Sequence, residues 1–188
     1  MVSALDRLGD PAADPLMPRG SDDDVSGLPG PVFWDRVLSA ELARAGRYAR
    51  PVTVVLVEVE GIADLHRDWG IEVTRRALHE AGGSLRRMAR TSDHSARIGI
   101  GRFGVVLTET DEIAAINFIE RVRDTAPGSM PRVASSLHFA FGWVSPKPGE
   151  PADQVMRRAE RRLRAELLTP DPEPAEDPTP ELAADERR

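Results

Sequence analysis

Apolar residues recur along this chain in two rhythms, and each change of rhythm marks an element boundary. Over 31–49, Val32, Trp34, Val37, Leu38, Leu42 and Ala45 fall at helical spacing; Pro31 suits a first turn, and Gly46 and Pro51 punctuate the end. Residues 51–60 then read as a strand, apolar at nearly every position through Val59, the pattern of a central strand covered on both faces. A short helix is predicted over 62–68 and a longer one over 71–90, the latter with Val73, Leu78, Ala81, Leu85, Met88 and Ala89 turned inward. Gly82-Gly83 inside it costs about 1 kcal/mol per glycine against alanine, so a close approach or an irregularity is expected there. Strands over 95–99 and 103–108 make a hairpin around Gly101. Asp111 caps a helix running to about Thr125, 137–145 alternates as a strand, and 153–168 is a final amphipathic helix. The order α-β-α-α-β-β-α-β-α describes a mixed α/β sandwich and not a doubly wound parallel sheet.

The pattern stops at both ends. Residues 1–22 mix Pro, Gly, Asp and Ala without a period, and from Thr169 to Arg188 the chain is acidic and Pro-rich. Both ends are expected to be disordered, leaving one domain over 23–168. Asp6, Asp10, Asp14 and Asp22–Asp24 at one end, and Asp171, Glu173, Glu176, Asp177, Glu181, Asp185 and Glu186 at the other, account for the net charge of −6. The body between them is mildly basic. A leading segment of 22 residues is too short to fold as a sensory domain, so any input is expected from a partner protein, from homodimerisation or from a ligand.

Composition removes several function classes. There is no cysteine, which excludes disulfides and Cys-based metal or nucleophile sites. No apolar stretch approaches the ~20 residues that span a bilayer, and no signal peptide is evident; a cytoplasmic protein without membrane contact is expected. His66, His79, His94 and His138 share no metal-ligand spacing. Arg157, Arg158, Arg161, Arg162 and Arg164 make the last helix basic, but Glu160 and Glu166 interleave and aromatics do not. A solvated face, or a patch contacted by the acidic tail, is expected there and no DNA partner. Trp34, Trp69 and Trp143 lie in apolar patterns and are read as core.

Gly99-Ile100-Gly101-Arg102-Phe103-Gly104 spells G-x-G-x-x-G, the string of a dinucleotide-binding loop. That loop needs a helix after it, because the pyrophosphate sits on the helix N-terminus. Here Val105-Val106-Leu107 follows, a strand run, so the glycines serve a hairpin.

Order, spacing and residues together resemble the GGDEF domains, most of which are diguanylate cyclases that make cyclic di-GMP from two GTP. Asp23-Asp24-Val25-Ser26-Gly27-Leu28-Pro29-Gly30 is similar to the family's D-x-L-T-G-L-P-N, and Leu56-Val57-Glu58-Val59-Glu60-Gly61-Ile62 to L-x-D-x-D-x-F. Trp69-Gly70 occupies the later L-G, and 90–99 resembles R-x-S-D-x-x-A-R-x-G. Gly99, Ile100, Gly101, Arg102 and Phe103 fall on the signature G-G-D-E-F itself. Phe141-Gly142-Trp143-Val144 resembles I-G-V, and 152–163 the A-D-x-L-x-x-A-D-x-A-L helix. The resemblance covers about 22–168. It implies an α+β, nucleotide-cyclase-like fold with a ferredoxin-like core of about five strands wrapped by helices.

The same resemblance implies that the catalytic chemistry has been lost. Joining two GTP molecules needs Mg2+ held by carboxylate oxygens. The family takes these from the first acid of its D-x-D strand and from the acidic pair of its signature. Those positions are Glu58, Gly101 and Arg102 here: one ligand is a methylene longer, one is absent, and one is a fixed cation. The family's guanine-reading Asn and Asp fall on His66 and Arg75, and its phosphate-binding Lys on Leu167. An Asp accepts the guanine N1 and N2 protons, whereas Arg only donates. The expectation is a degenerate, catalytically inactive domain without catalytic residues, metal or cofactor, acting as a regulatory module. The enzyme alternative keeps Mg2+ and GTP in a rearranged site, and a scaffold without nucleotide binding is a second alternative.

Two local expectations follow. Strand adjacency in this fold brings Arg102 within reach of Glu58, as an internal cation in place of magnesium. Arg90 and Asp93 match the family's inhibitory R-x-x-D site, which implies cyclic di-GMP as a ligand. The local alternative is that Arg90 is a favourable cation at a helix end and Asp93 a turn cap.

Overall fold

The computed structural model describes residues 14–169. Two short strands, β1 (Asp22–Asp23) and β2 (Leu28–Pro29), pair antiparallel and lead into helix α1 (Pro31–Tyr48). Then follow β3 (Val52–Glu60), α2 (Ile62–Met88), β4 (His94–Arg97), β5 (Arg102–Thr108), α3 (Glu112–Ser129), β6 (His138–Val144) and α4 (Ala152–Leu167). The central sheet is antiparallel throughout, in the order β4-β5-β3-β6.

Strand β3 is the middle of the molecule because both of its faces are apolar. Val55, Val57 and Val59 join Leu78, Leu85, Phe118, Ile119 and Val122 in one core, under α2 and α3. Val52, Val54 and Leu56 join Trp34, Leu38, Val155, Ala159 and Leu163 in a second core, under α1 and α4. The strand's alternation therefore feeds two layers at once, as its unbroken apolar run requires.

Glycines admit the closest approaches between layers. A Cβ on Gly142 would lie 2.3 Å from the Ala159 carbonyl oxygen and 2.5 Å from the Leu163 nitrogen, so α4 lies directly on the β6 backbone. A Cβ on Gly82 would lie 2.6 Å from the Ser26 carbonyl oxygen, which is the close approach that Gly82-Gly83 foretold. Asp111 caps α3 as expected, its carboxylate accepting the Ala114 N–H at 2.8 Å.

Several expectations need correction. The helices predicted over 62–68 and 71–90 are halves of α2, broken at Gly70 where φ is 79°. Trp69, just before that break, is 56% exposed and is not a core residue, because the break turns it outward. Residues 14–22 belong to the domain: Leu16 is only 2% exposed, and its N–H is held by the Asp14 carboxylate. Composition hid this because one apolar anchor between prolines carries no period. The disorder expected over 1–13 and 170–188 lies outside the described residues.

The central sheet has four strands among the described residues, against the five that the resemblance implied. The outer edge of β6 is occupied by side chains of α4. Arg162 donates to the Trp143 carbonyl at 2.6 Å, and Arg158 to the Ser145 carbonyl just past the strand at 3.4 Å. Glu166 faces the Phe141 N–H, and burial pushes its carboxyl above the usual range against the pull of Arg123. Among the described residues no helix is long and apolar enough to cross a membrane.

Candidate functional site

The signature hairpin is held by one buried guanidinium. Arg97, at the end of β4, is 0% exposed. Its Nε and Nη2 donate to the two oxygens of Asp23, each at 2.7 Å. Its Nη1 donates to three carbonyls: Leu16 at 2.6 Å, Gly99 at 3.3 Å and Ile100 at 3.0 Å. Ser26 adds its N–H and hydroxyl to the Asp23 carboxylate. Burial alone would raise the Asp23 pKa, but the hydrogen bonds from Arg97 and Ser26 outweigh it and hold the carboxyl below its ordinary value. The entry strap, the β1–β2 turn and the 98–101 turn thus converge on a fork–fork pair whose donors are satisfied. Sequence reasoning quoted both residues inside motifs but gave neither a role. The available signal was Asp23-x-x-Ser26, a side-chain-capped turn, far along the chain from an arginine inside a strand.

The same turn fixes what lies at the signature. Ile98 and Gly99 donate to the Arg102 carbonyl at 2.8 and 3.1 Å, and the Gly101 carbonyl accepts the Val59 N–H at 2.8 Å. Arg102 is therefore the first residue of β5 and not the tip of the hairpin. The β3–β5 register places it directly opposite Glu58. Arg102 Nε donates to Glu58 Oε2 at 2.6 Å, with the two side chains 38% and 23% exposed. The expected pair is present. A Cβ on Gly101 would lie 2.7 Å from the Val59 carbonyl oxygen and 3.4 Å from Glu58 Oε1. An acid at 101 would have to push the turn off β3.

These residues do not fit a magnesium ion. Glu58 is engaged by a cation, Gly101 offers no side-chain oxygen and has no room for one, and Arg102 repels divalent charge. Among the described residues no cluster of three His, Asp or Glu side chains could hold a metal.

The remaining sequence-predicted residues are dispersed. His66 lies in the first half of α2, with its Nδ1 buried and without a hydrogen-bond partner. Arg75 lies beyond the break and borders an open cleft of about 570 Å³ with Asp24, Glu72, Arg76, His79 and Glu80. Leu167 packs against the core under α1 and α4, in the opposite layer from α2. Asp93 spends its carboxylate locally: Oδ2 accepts the Arg90 N–H at 2.8 Å and Oδ1 the Thr108 N–H at 3.1 Å. That is the turn-capping arrangement. The Arg90 side chain is exposed.

An antiparallel sheet wrapped by helices, with a β-hairpin presented beside the end of its central strand, defines a nucleotide-cyclase-like α+β domain. The family profile described as "Diguanylate cyclase, GGDEF domain" matches residues 21–169, and the chain belongs to that family. Diguanylate cyclase DosC of Escherichia coli K12 is 28% identical over 109 residues, covering 58% of this chain and 24% of DosC. The chain thus spans about a quarter of the length of that curated relative. Among solved structures, the coiled coil and GGDEF domain of DgcB from Caulobacter crescentus, in complex with c-di-GMP, matches with a TM-score of 0.74 at 19% identity. That match covers 78% of this chain and 80% of the other. Diguanylate cyclase SiaD from Pseudomonas aeruginosa, in complex with its activator SiaC, matches with a TM-score of 0.71 at 24% identity, over 78% of this chain and 57% of SiaD. At such identities these neighbours speak for the fold alone.

Proposed function

We propose that this chain is a non-catalytic GGDEF domain that works as a regulatory module. The Arg102–Glu58 pair carries the reading: a 2.6 Å ion pair stands where the family's chemistry calls for a carboxylate cluster around metal. His66 and Arg75 in place of the guanine-reading amide and acid, and Leu167 in place of the phosphate-binding lysine, point the same way. Incubating the protein with GTP and magnesium and analysing nucleotides by mass spectrometry is expected to give no cyclic di-GMP above a protein-free blank. Product that disappears in a Glu58→Gln variant would establish the enzyme alternative.

The input to such a module is a ligand or a protein. The Arg90 guanidinium is exposed and makes no ion pair among the described residues, which leaves it available to the phosphate or guanine of a dinucleotide. DgcB, solved with c-di-GMP, and SiaD, solved with an activator protein, illustrate both kinds of input within this fold. Isothermal calorimetry with cyclic di-GMP is expected to give a binding heat that an Arg90→Ala variant loses. Absence of heat at high micromolar concentration, or equal binding by the variant, would leave the protein partner as the input.

A further inference from the structure

We propose that Arg102 is a built-in counter-cation that makes the closure of the signature hairpin on β3 independent of divalent metal. The inference rests on the non-catalytic reading to the extent that both assign Arg102 to the place of a ligand, but it concerns conformation and not turnover.

Three observations on the hairpin carry it. First, the β3–β5 register sets Glu58 and Arg102 directly across from each other, where opposite charges stabilise a strand pair and like charges oppose it. An acid at 102 would face Glu58 across the register and need a cation between them. Second, the turn is seated by backbone: Val59 donates to the Gly101 carbonyl at 2.8 Å, and the space for a Cβ at 101 is already taken by the Val59 carbonyl oxygen at 2.7 Å. An acid at 101 would have to shift that carbonyl or the turn itself. Third, Glu58 already has its cation. Its Oε2 accepts from Arg102 at 2.6 Å, while Oε1 lies beside the turn, 3.4 Å from where a Cβ on Gly101 would sit. A magnesium ion demands near-octahedral oxygen ligation at about 2.1 Å and gives up its waters reluctantly. It would have to displace the guanidinium.

Glycine at 101 and arginine at 102 thus act as a pair of matched changes. The first lets the turn settle onto β3, and the second supplies the positive charge that Glu58 faces. An arginine is a cation tethered to the chain, so the closed hairpin has no occupancy to lose.

Thermal unfolding of the full chain in millimolar magnesium chloride, against sodium chloride of matched ionic strength, tests this. The wild-type Tm is expected to agree between the two salts within about 1 °C. Arg102→Glu sets two carboxylates face to face; its Tm should fall in sodium and recover by about 2–4 °C in magnesium. The recovery should vanish in the Glu58→Gln/Arg102→Glu double variant. If Arg102→Glu does not fold, Arg102→Asp sets a shorter carboxylate across from Glu58 and carries the same expectation of a magnesium-specific rise. A magnesium-specific rise in the wild type, or its absence in both Arg102 variants, overturns the proposal. A magnesium-stabilised wild type that makes no cyclic di-GMP would overturn this inference and leave the non-catalytic reading standing. Cyclic di-GMP production by a protein whose stability ignores magnesium would do the reverse.

Discussion

Replacing Arg97 with methionine is expected to destabilise the protein by about 3–5 kcal/mol, the range for breaking one side of a buried ion pair. In a domain of this size that is a fall in Tm of roughly 6–20 °C. The variant leaves Asp23 buried with Ser26 as its one side-chain partner, and leaves the Leu16, Gly99 and Ile100 carbonyls without their shared donor. The pH dependence separates the lost pair from simple loss of packing. In the wild type the Asp23 pKa is held low, so its contribution is complete above the unfolded-state value and fades only as pH falls through the lower folded value. Without Arg97 the carboxyl loses the largest of the influences that hold it low, so its folded pKa lies above that of the wild type. The variant's deficit should then shrink as pH falls through that higher value, because the variant takes up its proton before the wild type does. Chemical denaturation of both proteins from neutral pH down through the carboxylate range measures it; a deficit constant over the whole range would show that the ion pair is not its source.

Gly142→Ala is expected to be the second severe change, destabilising by about 3 kcal/mol or more, at the upper end for overpacking. The added methyl would sit 2.3 Å from one backbone atom of α4 and 2.5 Å from another. A flexible side chain could swing aside, but helix backbone cannot. The whole of α4 must lift from β6, which loosens Val155, Ala159 and Leu163 together. Thermal unfolding reads the loss. Gly128→Ala is the control, since a Cβ there meets nothing within 4 Å, and its Tm should stay within about 2 °C of wild type if it perturbs by no more than a typical surface change.

The fold was largely legible because its signals are periodic. A strand apolar on both faces announced β3, and an aspartate ahead of an apolar helix announced the start of α3. The Glu58–Arg102 pair was legible too, since strand order and register follow once β3 and the hairpin are placed. What the sequence concealed was non-periodic. Leu16 is one buried side chain in a stretch without rhythm, so pattern alone groups the strap with the end expected to be disordered. Arg97 ends a four-residue strand too short to show a period, and nothing local says that its partner lies 74 residues earlier. Trp69 departs from the rule that an aromatic in an apolar pattern is core, because the Gly70 break that exposes it is a matter of one residue's backbone angles. Asp93 shows a different difficulty. The sequence leaves both a ligand site and a turn cap open there, and the carboxylate accepts the Arg90 and Thr108 N–H groups as a cap does.

The row of α4 side chains along the rim of β6 has a consequence for assembly. A sheet is in principle an open-ended polymer: each strand that joins it presents the next vacancy, and an unguarded rim invites a neighbouring molecule. Adding a strand only moves the vacancy outward. Arg158 and Arg162 instead act as chain terminators, donating to carbonyls at the rim while offering no backbone template in return. Termination of this kind is written into the helix that follows the strand, so the sheet stops growing at the moment α4 docks.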